Sequence, residues 1–214
     1  MINLETLLLF LIPMLIINIS PGPAMIYTAT QTAAYGRSTG IVSVMGLESG
    51  TFFHVIVATI GLSAIIIANP HLIIAIQVLG ALYLIYLGIK EIKPQNEIAI
   101  AQQGIKKNIS RWKVFKQGFV INLLNPKVSL FFLAFLPPFI DTSRDDVAQQ
   151  FFTLGVIFNL SGTVFNIIVV FLVAWLGRFF VKKLDATEHN WLKNGLLAFV
   201  YITLALVILI RTFL

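Results

Sequence analysis

Residues 6–36 carry no charge, and in the middle of that run stand Asn18-Ile-Ser20-Pro21-Gly22-Pro23. A proline inside a helix removes a hydrogen bond and clashes with the preceding turn, at roughly 3 kcal/mol. Serine followed by proline is at the same time a good helix start. Serine caps, and proline needs no N–H at the first helical position. The run therefore reads as one helix ending near Asn18 and a second starting at Pro21. The second half echoes it, because Asn122-Leu-Leu-Asn125-Pro126-Lys127 again places a cap and a proline inside an apolar stretch. Broken helices at corresponding places in two halves of a membrane chain point to a transporter binding site. The alternative is two unrelated prolines, which membrane helices tolerate.

Composition places the chain in a membrane. Of its 214 residues 58% are hydrophobic and 11% charged, whereas a soluble domain carries about a quarter of its residues charged. Uncharged stretches of about 20 residues, the length that crosses a bilayer, recur along it. Six spans are expected, over residues 4–35 (broken at 20–23), 39–68, 72–89, 114–140 (broken at Asn125-Pro126), 147–177 and 195–210. Asn69-Pro70-His71 reads as a tight turn between the second and third. The expected fold is an all-α membrane protein, a single transmembrane domain over residues 1–214. Its six helices form two repeats, 1–92 and 114–214, joined by a polar loop at 93–113. Three spans per repeat is an odd number, so the second repeat enters from the opposite face and the pair is inverted.

The net charge of +6 does not make a nucleic-acid face. Its lysines and arginines gather in the odd-numbered connections, at Arg37, at Lys90, Lys93, Lys106, Lys107, Arg111, Lys113 and Lys116, and at Arg178, Lys182, Lys183 and Lys193. By the positive-inside rule these connections face the cytoplasm, and both termini lie outside. Trp112, Trp175 and Trp191 fall at the same ends, as an aromatic belt would place them. The N-terminus has no basic region of a secretory signal. Cysteine is absent, which removes disulfides and thiolate metal sites. No cofactor or metal is expected.

Two charges lie deep in the spans. At 1.5 Å per residue, Glu48 is roughly 15 Å and Lys127 roughly 20 Å from the cytoplasmic surface. A charge at that depth costs roughly 2.5–3.5 kcal/mol, so each should face the bundle interior and have a partner or a wet cavity. A structural ion pair or a neutral form is the alternative. Lys127 sits second in the half-helix that starts at Pro126, where the backbone dipole is already positive. An anion is expected there, either a substrate carboxylate on the N–H groups of Lys127 and Val128 or Glu48. Gly22 and Ala24 offer the matching donors at the first break. The carbonyls of Ile17, Ile19 and Asn122, freed by prolines four residues on, are expected acceptors for an ammonium.

The candidate substrate-binding set is thus Asn18, Ser20, Pro21, Gly22, Pro23, Asn122, Asn125, Pro126 and Lys127. Glu48 and His54 are candidates for coupling, although a hydrogen-bonded structural role suits His54 equally. Gly46, Gly50 and His54 recur at spacing four, and the glycines read as a packing face. Asn159, Thr163 and Asn166 form one polar stripe of the fifth span, for interhelical hydrogen bonds or for lining a pathway. His71 and His189 read as solvated.

Ser20-Pro21-Gly22-Pro23, the Gly46-x-x-x-Gly50-x-x-x-His54 spacing and Asn125-Pro126-Lys127 together resemble the lysine/homoserine exporter family of the LysE/RhtB type. The resemblance covers essentially the whole chain. It implies an exporter of amino acids or related metabolites in the bacterial inner membrane, driven by a proton or potential gradient, with a small molecule and lipid as partners and room for a homodimer. It leaves the substrate open. An intramembrane enzyme is the alternative class, with Ser161 and His54 as an imaginable pair. No H-E-x-x-H and no nucleophile motif supports it. A passive channel is the third.

Overall fold

A computed structural model describes residues 2–20, 22–64 and 109–180, with side chains to Trp175, and five single helical positions, Ile74, Val78, Leu82, Ile85 and Ile89. The rest of the third span expected above, the whole of the sixth, Met1, and Pro21, His71, His189 and Trp191 lie outside these residues. Every regular element is a helix, with no strand among the described residues.

Helix α1 (Leu4–Ile19) starts at Asn3, whose side chain accepts the Thr6 N–H at 2.7 Å. It is followed by α2 (Pro23–Tyr35). The second helix thus begins two residues later than the Ser-Pro signal predicted. Gly22 takes the extended cap position and Pro23 the first turn, where its missing N–H costs nothing. The axes differ by 51°. Gly36, at φ +84°, turns the chain directly into α3 (Arg37–Val57). That left-handed conformation favours glycine. A π-helical turn, Ala58–Leu62, carries α3 onward, giving an unbroken apolar span over Arg37–Leu62.

The second half repeats the device. Helix α4 (Arg111–Leu123) meets α5 (Pro126–Leu130), which continues through a π turn at Phe131–Phe135 and a 3-10 turn at Pro137–Phe139. The bend at this break is 45°. Helix α6 (Val147–Phe180) follows. Among the described residues two helices are long and apolar enough to cross a membrane, or four when each bent pair counts as one span.

Glycines set the closest packing. A methyl group on Gly50 would stand 2.7 Å from the Phe119 carbonyl oxygen, and one on Gly118 would stand 2.8 Å from that of Ser43. Gly46 lies against the Phe115 backbone in the same way. Helices α3 and α4 therefore touch backbone to backbone, as small residues on one face allow. A pair of variants checks this. Gly118→Ala is expected to lower thermal stability by about 1–3 kcal/mol, the usual cost of overpacking. Gly61→Ala, which meets nothing within 4 Å, is expected to hold or raise stability, because alanine is the better helix former.

The main core is aromatic. Phe10, Phe131, Phe132, Phe135, Phe139, Phe151 and Phe158 are all buried in one cluster, with the Phe131 and Phe158 rings stacked at 3.8 Å. Ile85 packs against it from the third span. A smaller cluster of Tyr27, Leu47 and Val114 is pinned by the Tyr27 hydroxyl, which donates to the Val114 carbonyl at 2.8 Å. Between the two, along α1, α3, α4 and α6, the sequence turns polar.

Beyond the spans, the 141–146 turn is tied by a bidentate Arg144–Asp146 ion pair at 2.9 and 2.7 Å. Hydrogen bonds from Arg144 and then Gln150 hold the Asp146 carboxyl well below the usual carboxylate range.

Candidate functional site

The second break is built by asparagines. The Asn125 side chain accepts the Lys127 N–H at 3.0 Å, and its carbonyl accepts the N–H groups of Val128 and Ser129, each at 3.1 Å. The donors expected to meet an anion are thus taken by the cap itself. Asn122 donates to the Leu47 carbonyl at 2.9 Å and to the Thr51 hydroxyl at 2.6 Å, tying the break to α3. Its side-chain oxygen faces the Asn125 amide at 3.3 Å. Its carbonyl, deprived of a partner by Pro126, accepts the Asn125 N–H at 3.2 Å.

His54 completes this end. Its Nε2 lies 3.1 Å from the Leu123 carbonyl, one of the last of α4, and its ring stacks on Phe132. That carbonyl has lost its helical donor, since the Lys127 N–H goes to Asn125. A ring proton on Nε2 satisfies it.

The two breaks meet. Lys127 Nζ donates to the Ser20 carbonyl at 2.6 Å across 107 residues of chain, and it lies 3.9 Å from where Gly22 would carry a Cβ. Around this contact is a cavity lined by Asn18, Ser20, Gly22, Glu48, Thr51, Asn122, Asn125, Lys127, Gly162 and Asn166, with Ile17, Met25, Val128 and Phe158 as its apolar wall. Its empty space, open side included, is about 490 Å3. Ser20 is 6% exposed, and its hydroxyl has no hydrogen-bond partner among the described residues. Pro23 is exposed on the first turn of α2 and does not line the cavity.

Glu48 reaches the same cavity from α3. Asn166 donates to its Oε1 at 2.8 Å and Asn159 to its Oε2 at 3.0 Å. Asn159 also donates to the Glu48 carbonyl at 3.0 Å. The carboxylate is thus held by amides from α6. The polar stripe of the fifth span divides: Asn159 and Asn166 turn to Glu48, whereas the Thr163 hydroxyl bonds its own helix at the Asn159 carbonyl, 2.9 Å away. Sequence reasoning passed over Thr51 and Gly162, both on the cavity wall. It treated Ser161 only as an imagined nucleophile. The Ser161 hydroxyl instead accepts the Asn18 amide at 2.6 Å. Among the described residues no group of His, Asp or Glu is arranged to hold a metal.

Apolar helices broken at two places, with the breaks facing each other across a polar cavity, define a helical membrane protein of the transporter class. The chain belongs to the LysE type translocator family, whose sequence profile matches residues 15–212. It is 30% identical over 184 residues to the uncharacterized membrane protein YrhP of Bacillus subtilis, covering 83% of this chain and 81% of that one. It is 31% identical over 150 residues to the homoserine/homoserine lactone efflux protein of Salmonella typhimurium, covering 69% and 70%. It is 28% identical over 189 residues to the leucine efflux protein of an Enterobacter species, covering 86% of each. No solved structure matches the chain. The family's members are transporters rather than enzymes.

Proposed function

We propose that this protein is a secondary exporter of amino acids or closely related metabolites in the bacterial inner membrane, coupled to the proton or potential gradient. One observation carries the reading. The two breaks touch through Lys127 and the Ser20 carbonyl, inside a cavity that also holds Glu48. Charged groups at such depth persist where a function uses them. Relatives named for homoserine and leucine efflux favour amino acids over other small solutes. In this reading the two halves are inverted three-span repeats that rock about the fixed site, and Glu48 is the coupling group. His54, held between Leu123 and Phe132, supports the break from behind.

The deciding experiment is efflux from proteoliposomes loaded with each of the twenty amino acids, homoserine and homoserine lactone, with and without a pH gradient. Saturable efflux of at least one of them, accelerated by the gradient, is expected. Unsaturable flux would favour a channel, and no flux of any would remove the reading.

Orientation is proposed from charge alone, with the 93–113 loop inside and the termini outside. The chain has no cysteine, so Asp145→Cys and Lys106→Cys each give a single thiol. An impermeant thiol reagent on intact cells is expected to label the first and spare the second. The reverse pattern would invert the topology.

A further inference from the structure

Three helix faces leave the cavity in the same direction. Ala24, Glu48, Gly162 and Asn166 line the cavity. On α2, steps of four residues lead from Ala24 to Thr28 and Thr32. On α3 the same steps lead from Glu48 to Val44 and Gly40, and on α6 from Gly162 through Asn166 to Val170. Residues four apart lie on one side of a helix. The three rows therefore run side by side from the cavity toward the end that carries Arg37, which charge assigns to the cytoplasm.

The rows end on one another. A Cβ on Gly40 would overlap the Thr32 hydroxyl oxygen and stand 3.1 Å from both γ carbons of Val170. Thr32, Gly40 and Val170 are all buried. Just beside them the Arg37 guanidinium lies over the Phe171 ring at 5.6 Å, which fastens α3 to α6 a second time. Thr32 and Gly40 are carried by one hairpin, because Gly36 turns α2 directly into α3. Val170 stands on the other side, in the second half of the chain.

Behind this contact the α2 row is polar. Thr28 is wholly buried, and its hydroxyl has no hydrogen-bond partner among the described residues. Gln31, on the next turn, is buried with its side-chain oxygen in the same condition. A contact that only packed helices together would call for apolar residues here, since an orphaned polar atom is costly. Both atoms are accounted for if another state of the protein admits polar material along this row.

We propose that Thr32, Gly40 and Val170 form a gate between the cavity and the Arg37 end, with the Thr28 row as the passage behind it. The gate opens when the α2–α3 hairpin parts from α6. The inference rests on the exporter reading and goes beyond it in naming where the closed state is sealed.

The chain has no cysteine, so Thr32→Cys combined with Val170→Cys gives two thiols, one on each side of the gate. The variant in proteoliposomes is treated with copper phenanthroline or a short bis-thiosulfonate linker. Efflux of the amino acid that the protein exports fastest is followed before linking, after linking and after reduction. Linking is expected to cut efflux about tenfold or more, because it withholds the open state, and reduction is expected to restore it. A link that forms and leaves efflux unchanged would overturn the gate, as would thiols that neither reagent joins. A second arm needs no transport. Thr28→Cys is labelled by a small water-soluble thiol reagent with and without Gly40→Leu, whose side chain would wedge Thr32 from Val170. The wedge is expected to speed this labelling about tenfold or more while the rate of Asp145→Cys stays the same. Equal Thr28→Cys rates in a Gly40→Leu protein that still melts cooperatively would overturn the passage. If Gly40→Leu fails to fold, the linking arm decides. If the unlinked protein moves no amino acid, the exporter reading falls, and the labelling arm decides the gate by itself.

Discussion

Lys127→Gln is expected to reduce efflux of carboxylate-bearing amino acids by about a hundredfold, the scale of truncating one partner of a buried charge pair. Lys127 is the one cation on the described cavity wall, and its ammonium joins the two breaks at the Ser20 carbonyl. Glutamine keeps a donor but is shorter and neutral. It would leave the Ser20 carbonyl without its charge-assisted bond and the substrate carboxylate without a counter-charge. Efflux of a substrate lacking a carboxylate, such as homoserine lactone, should fall far less. Equal losses for homoserine and its lactone would show that Lys127 acts on the fold and not on the carboxylate.

Glu48→Gln has the second largest expected effect. Two asparagine amides converge on this carboxylate. A glutamine offers them one oxygen and one nitrogen, so one amide would face another donor. Leaving a buried donor unsatisfied costs about 1–3 kcal/mol, which thermal unfolding will register. Efflux driven by a pH gradient should drop to background, because the variant lacks a group that can take up a proton. Full gradient-driven efflux by a folded Glu48→Gln protein would remove Glu48 from the coupling role.

The breaks were legible in the sequence because capping chemistry is local. Ser-Pro and Asn-Pro report a helix start from neighbouring residues, and only the first boundary moved, from Pro21 to Pro23. The glycine face of α3 was legible for a related reason, since spacing four puts Gly46 and Gly50 on one side of a helix. Partners were harder to read. Charge and depth matched Glu48 to Lys127, yet Asn159 and Asn166 hold Glu48, because the register of α6 against α3 depends on packing far along the chain. The half-helix donors were expected to be open, yet the Asn125 cap takes them. Gly162 carries no side chain to attract notice, and its place on the cavity wall is set beside Asn18 and Glu48, neither close to it in sequence. His54 was legible as ambiguous, and the Leu123 carbonyl gives it a partner.

The central claim is that substrate occupies the space between the two breaks. Ser20→Cys places the single thiol of the chain on the wall of the cavity, and Asp145→Cys places one in the exposed 141–146 turn. The rate of labelling by a small thiol reagent is measured in proteoliposomes with and without the amino acid that the protein exports fastest. The account predicts that this amino acid slows labelling of Ser20→Cys in a saturable way and leaves Asp145→Cys unchanged. Labelling of Ser20→Cys at the same rate with and without substrate, in a variant that still transports, would contradict it.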